Sequence, residues 1–179
     1  MTACVLLLRG INVGGAGKLP MADLRALLAR LGADRVATHI QSGNAVFLHE
    51  RPGAALPAAI RDAIEAGHGF RPAAFLLSGA EFSAVLAANP FPEAESDPRP
   101  MHLYFHDNSA RPDRAALDAL LAPGEQWHCT DRVLYLRAPD GIGRSAFAAK
   151  LPRHFKAVMT ARNLRTCRKL AEMAGALSR

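Results

Sequence analysis

Apolar and polar positions along this chain follow two rhythms, and the order in which they alternate predicts the architecture. Ala3 to Leu8 is a short apolar run that reads as a buried strand. Pro20 can open a helix whose Leu24, Leu27, Leu28 and Leu31 recur at helical spacing, and Gly32 closes it. Val36 to Ile40 and Ala45 to Leu48 are two further strands, joined by Gln41-Ser42-Gly43-Asn44, which has the residues of a tight hairpin turn. Pro57 to Ala66 is again helical, Gly67 to Gly69 stops it, and Ala73 to Leu77 is a fourth strand. The order is βαββαβ.

That order recurs in the second half. Met101 to His106 alternates, with Met101, Leu103 and Phe105 on one face and His102, Tyr104 and His106 on the other, the pattern of a half-buried strand. A helix over Ala115 to Leu121, a hairpin of Gln126 to Cys129 with Val133 to Leu136 around Thr130-Asp131, a helix over Ser145 to Phe155 and a strand over Val158 to Thr160 follow. A helix over Leu164 to Leu177 closes the chain. The fold class expected is therefore α+β: two ferredoxin-like βαββαβ subdomains in tandem plus a C-terminal helix. Their boundaries fall at residues 1–88, which include a trailing helix over Glu81 to Ala88, and 101–179, joined by the proline-rich stretch 89–100. The halves share a pattern, not an evident sequence identity.

The topology gives the loops their addresses. Strands one and two of a βαββαβ unit run the same way and strand three returns, so the loop after strand one and the turn between strands two and three share an edge. Arg9 to Lys18 (RGINVGGAGK) and Gln41 to Asn44 (QSGN) should thus converge across about thirty residues of sequence. The loop offers glycines, amide donors leading into a helix and a cation at each end, a combination that can hold an anion. It also matches neither common phosphate signature. A P-loop ending at Gly17-Lys18 would need its first glycine at Asn12 and its hydroxyl residue at Leu19, and G-x-G-x-x-G fails in every register. Within the loop, Arg9 and Asn12 can equally act as internal hydrogen-bonding struts. In the second unit, Gly141-Ile142-Gly143-Arg144-Ser145, with Ser145 as a helix N-cap, and Thr160-Ala161-Arg162-Asn163 after the last strand share the opposite edge.

Composition narrows the reading. Half the residues are apolar and 21% are charged, the make-up of a packed globule. The N-terminal apolar run is too short for a signal peptide or a membrane span, so a cytoplasmic protein with no membrane association is expected. Cys4, Cys129 and Cys167 are odd in number and widely spaced, against both a disulfide framework and a zinc knuckle. His102 and His106 would stand about 13 Å apart, too far to share a metal. No hydrolytic motif and no cysteine with a recognisable base is evident, and no cofactor or metal is implied. The net charge of +6 is uneven. From Gly141 onward nine basic residues face Glu172 alone, so this quarter carries +8 and the remainder −2. That asymmetry suggests an anionic partner.

RGINVGG with Lys18 and Pro20-Met21-Ala22-Asp23-Leu24-Arg25, then IQSGN, Asn89-Pro90-Phe91-Pro92, GIGRS and TARN, taken in this order, resemble the bacterial family called domain of unknown function 1697. The resemblance implies two ferredoxin-like subdomains in a cytoplasmic protein and supplies no activity. The chain departs from the family pattern after Arg162-Asn163, where Leu164-Arg165-Thr166 stand in place of Trp-Asn-Thr.

The function expected is binding of a small anionic ligand, carrying phosphate or carboxylate, between the two subdomains. Arg9, Lys18, Arg144 and Arg162 would supply charge, the amides near Gly14 and Gly15 would contact the anion, and Asn12, Gln41, Ser42, Asn44, Ser145 and Asn163 would orient it. A nucleic-acid-binding module using the basic C-terminal segment is the alternative. Tyr104 and Tyr135 are expected to pack and not to stack on bases, because the third strands lack the aromatic pattern of RNA-binding sheets.

Overall fold

The computed structural model describes residues 1–15 and 17–178; Ala16 of the glycine loop and Arg179 of the basic segment lie outside the described residues. The described residues form two four-stranded antiparallel sheets and six α-helices. In chain order these are β1 (Thr2–Leu8), α1 (Met21–Arg30), β2 (Asp34–His39), β3 (Asn44–His49), α2 (Ala55–His68), β4 (Ala74–Ser78), α3 (Gly79–Ala87), β5 (Met101–His106), α4 (Arg114–Asp118), β6 (Gln126–Cys129), β7 (Val133–Arg137), α5 (Ala146–His154), β8 (Met159–Asn163) and α6 (Leu164–Leu177). The expected elements are all present with small shifts at their ends.

Two compact units divide the chain. Unit 1 comprises Met1–Ala87 with Arg168–Arg179, and unit 2 comprises Ala88–Cys167. The expected boundaries placed the whole C-terminal helix in the second half, whereas most of α6 groups with unit 1. A local reason is close packing of small residues: a Cβ on Gly79 would lie 3.4 Å from Ala174 Cβ and 3.5 Å from Ala3 Cβ.

In unit 1 the strand order is β2-β3-β1-β4. Leu6 and Leu7 pair with Ala45 and Asn44 on one side and with Leu76 and Phe75 on the other. Both neighbours of β1 are antiparallel to it, and β2 is antiparallel to β3, so β1 and β2 run the same way. Cys4, Leu6 and Leu8 point into a core with Leu24, Leu27 and Leu28 of α1 and Ile60 and Ile64 of α2. Those helical positions are the ones their spacing predicts. The edge strand β2 is less regular: its register shifts between Asp34 and Ala37, where Arg35 adopts φ 51°.

Unit 2 repeats the plan with the order β6-β7-β5-β8. Its helices cover the Tyr104, Leu134 and Leu136 face with Leu117, Phe147, Leu151 and Phe155. The expected half-exposure of β5 is corrected here. Tyr104 and His106 are buried as well as Met101, Leu103 and Phe105: Tyr104 lies in the apolar cluster under the helices, and the His106 ring enters the core with both nitrogens partnered. Tyr135 is buried too, so both tyrosines pack.

The turn of unit 1 is fixed by a close approach. Gly43 has φ 75°, its carbonyl accepts from Leu8 N at 2.8 Å, and an added Cβ would lie 2.8 Å from Leu8 Cβ and 2.9 Å from Ile11 Cγ1. Gly43→Ala is therefore expected to destabilise the protein by about 3 kcal/mol through crowding and left-handed strain. Gly53→Ala, where a Cβ meets nothing within 4 Å, should change stability little. Urea denaturation of the two variants checks the contrast.

Candidate functional site

The loop after β1 leaves the sheet with Arg9 N still donating to Ala73 O at 2.9 Å, then folds back on itself. Asn12 N donates to Gly17 O at 3.1 Å, and Gly17 lies so near the Gly10 carbonyl that a Cβ would come to 2.6 Å of it. The Asn12 carboxamide organises what remains. Its Oδ1 accepts from Leu19 N at 2.9 Å, and its Nδ2 donates to Leu19 O at 2.9 Å and to Gln41 O at 2.7 Å. One side chain thus ties the two ends of the loop together and ties the loop to the hairpin turn. Asn12 adopts φ 57°, a conformation asparagine tolerates better than most residues.

The convergence of loop and turn opens a cavity of about 500 Å³ walled by Asn12, Gly15, Lys18, Leu19, Pro20 and Gln41. It lies at the start of α1, where Pro20 occupies the cap position and no side chain caps the helix. Gly14 and Gly15 are exposed, each with positive φ. Neither Arg9 nor Lys18 enters an ion pair among the described residues. Asn44, by contrast, is fully buried, and its Nδ2 donates to His39 O at 3.1 Å and to Ser42 Oγ at 3.0 Å. Ser42 and Asn44 hold the turn from within. Of the residues expected at this edge, Asn12, Gly15, Lys18 and Gln41 line the cavity.

The motifs of unit 2 share the opposite edge, near Met101. Ser145 Oγ accepts from Ala148 N at 3.0 Å as the N-cap of α5. Thr160 to Asn163 do not follow the last strand; they are in it, because Thr160, Ala161, Arg162 and Asn163 pair with Phe105, Tyr104, Leu103 and His102. Asn163 Oδ1 accepts from Thr166 N at 2.8 Å and caps the start of α6. Arg162 Nη1 donates to Thr160 Oγ1 at 2.8 Å and to Ala161 O at 2.7 Å, and burial pulls the guanidinium down to about 10. Arg144 is exposed. Leu164, at the position where the family pattern has tryptophan, is buried.

The pattern reading missed a second cavity, of about 560 Å³, walled by Arg111, Pro112, Arg114, His128, Cys129, Thr130 and Asp131. It lies between the loop after β5 and the β6–β7 turn, the same topological address as the cavity of unit 1. Applying the shared-edge rule to the second βαββαβ unit would have found it. Arg111 pairs with Asp131 at 2.9 Å, and the Arg114 guanidinium stands 5.2 Å above the centre of the Trp127 ring.

This region also corrects the expectation that no cysteine has a base nearby. Cys129 Sγ is 3.7 Å from His106 Nε2. The pair is not a thiolate and imidazolium, however. Nε2 lies 3.1 Å from Thr130 O, which calls for a proton on that nitrogen, and Nδ1 accepts from Asn108 N at 3.2 Å. His106 therefore has no lone pair to offer the thiol, which donates to Thr130 O at 3.3 Å. Burial depresses His106 and raises Cys129, so both remain neutral near pH 7. Among the described residues no group of three or more His, Cys, Asp or Glu is placed to hold a metal ion, and no described helix is long and apolar enough to cross a membrane.

Residues 1–135 match the model of the family described as protein of unknown function (DUF1697). The chain belongs to this family. The matched residues include the RGINVGG loop and QSGN turn, while GIGRS and TARN lie beyond them. A solved structure titled as that of conserved bacterial protein SP0830 from Streptococcus pneumoniae is similar at 28% identity, with a TM-score of 0.77 over 97% of this chain and 98% of that one. No curated protein matches.

Two outcomes follow for this DUF1697 member. Asn12→Ala should cost about 2 kcal/mol, since it removes three hydrogen bonds and leaves Leu19 groups to find water; chemical denaturation reads it. His102 and His106 are both depressed, chiefly by burial, below the ordinary value of 6.5. The unfolded chain then takes up protons first as pH falls, so stability is full above about 6.5 and declines as pH drops below it towards their folded values. Urea midpoints between pH 7.5 and 5 should fall, and His106→Asn should flatten the decline.

Proposed function

We propose that this protein binds a small anionic ligand, bearing phosphate or carboxylate, in the cavity between the glycine loop and the hairpin turn of unit 1. The observation that carries this reading is the coincidence, in one cavity, of an ammonium without an ion-pair partner (Lys18) and a helix start that no side chain caps. The first turn of an α-helix presents amide hydrogens without intrahelical partners, and its dipole favours negative charge there. Exposed, glycine-built backbone at Gly14 and Gly15 lets an anion approach closely. Lys18 supplies the nearest charge, Arg9 adds to the local field, and Gln41 offers a carboxamide at the rim. Asn12 is the scaffold of the site, its three bonds already made within the protein.

The same reading takes each unit as a ferredoxin-like module, supported by the βαββαβ element order and the strand orders β2-β3-β1-β4 and β6-β7-β5-β8. In it the central strands are fully engaged and the loops at their ends are free to bind. Ligand contact is assigned to unit 1. In unit 2 Ser145 and Asn163 act as helix caps.

Thermal unfolding in the presence of inorganic phosphate, sugar phosphates and nucleotides tests the proposal, because a ligand that binds only the native state raises the apparent stability. At least one of these anions should raise Tm in proportion to the logarithm of its concentration, and Lys18→Ala should weaken its binding about tenfold. No shift with any of them at tens of millimolar, or shifts indifferent to Lys18→Ala, would overturn it. Steeply salt-dependent oligonucleotide binding that survives Lys18→Ala would instead assign the charge to the basic C-terminal segment.

A further inference from the structure

The cavity of unit 2, between the loop after β5 and the β6–β7 turn, has a wall of different chemistry from that of unit 1. Arg111, Arg114 and Asp131 stand in it with Pro112, His128 and Cys129. Both guanidiniums and the carboxylate lie close enough to act on the Cys129 thiol, which places all three around one spot.

The two arginines differ in what they have left to give. Arg111 Nη1 donates to Asp131 Oδ1 at 2.9 Å and to Asn108 Oδ1 at 3.3 Å. Arg114 is exposed, and its side chain makes no hydrogen bond and no ion pair among the described residues. Its neighbour is the face of Trp127, 5.2 Å from the guanidinium carbon. An aromatic face attracts the charge yet offers no lone pair in return, so the five N–H donors stay available in their planar fork. The ring itself is fixed: its Nε1 donates to Asp118 Oδ1 at 2.7 Å, and it leans on the buried Phe147 with ring centres 5.4 Å apart. A guanidinium seated on a fixed ring has less freedom to lose when it meets a ligand, and that pre-organisation favours binding.

We propose that the unit 2 cavity is a binding site for a small organic carboxylate, held by paired N–H bonds from the Arg114 fork. This site is separate from the one in unit 1 and does not rest on that reading. Charge favours a carboxylate over a phosphate. Asp131 offsets Arg111 and leaves one cation for the ligand, which suits a monoanion, while the same carboxylate repels the second charge of a phosphate. The volume of about 560 Å³ is that of a small-molecule cleft, and Pro112 and the half-buried Cys129 give the ligand's carbon body an uncharged part of the wall.

Trp127 is the only tryptophan of the chain, so its indole N–H gives one resonance that reports on this site. Titration of the full chain at pH 7 with sodium benzoate, against sodium chloride at equal ionic strength, should move that resonance along a curve that saturates at roughly millimolar concentrations. Sodium phosphate should need about tenfold more. Arg114→Ala should abolish the curve, and Arg114→Lys, which keeps the charge and loses the fork, should weaken it about tenfold. Both variants change an exposed residue and should keep the parent Tm. Asp131→Asn should narrow the gap between benzoate and phosphate. No response to benzoate beyond that to chloride, undiminished affinity in Arg114→Lys, or phosphate binding as tightly as benzoate would each overturn the proposal. Loss of the benzoate response in Lys18→Ala would overturn it as well, by assigning the ligand to the cavity of unit 1.

Discussion

Each sheet is built around a strand that is paired on both sides, and that constraint directs the placement of polar chemistry. β1 gives its backbone groups to β3 and β4 and buries Ala3 to Leu8, while β5 does the same between β7 and β8. A strand so occupied has no free backbone edge to add a partner, and residues buried on both of its faces have no side chain in solvent to offer. Chemistry is displaced to the ends of the strands. The two described cavities lie there, each between the loop leaving a central strand and the turn of the neighbouring hairpin.

The same physical demand, that polar groups out of water find partners, separates scaffold from surface within each edge. Asn12, Asn44, Ser145 and Asn163 are all polar, and each has its side chain bonded to nearby backbone. They shape the edge by closing a loop, a turn or a helix end. Lys18, Gln41 and the exposed glycines Gly14 and Gly15 remain at the solvent surface of that edge. At the corresponding edge of unit 2 the arginines have local partners, Asp131 and the Trp127 ring, so the two edges share an address and differ in available charge.

Cys129 and His106 show how hydrogen bonding decides chemistry that proximity suggests. A thiol within 4 Å of an imidazole resembles an activated nucleophile. Yet the carbonyl of Thr130 fixes the proton on the near nitrogen, and burial favours the neutral form of both groups. The ring serves as a buried bridge between the end of β5 and the β6–β7 turn. Its edge-on contact with Phe155, ring centres 4.8 Å apart, holds it in the core.

The sequence by itself determined the order of elements, the turn residues, the Ser145 cap and the meeting of the glycine loop with QSGN. These follow from periodicity and from the handedness of crossover connections, which operate over a few residues or through topology alone. It did not determine which polar residues face inward. One partner of Asn12 is a carbonyl twenty-nine positions away, and the burial of Asn44 and Arg162 depends on what packs above them. A binary pattern likewise reads His106 and Tyr104 as a wet face, whereas a carbonyl placed by the β6–β7 turn, or a helix laid across the sheet, makes that face a core. The division of α6 between the units and the seating of Arg114 over Trp127 were decided only when the chain closed on itself. Spacing reports which residues share a face, and only tertiary packing supplies the groups that satisfy them or leave them open.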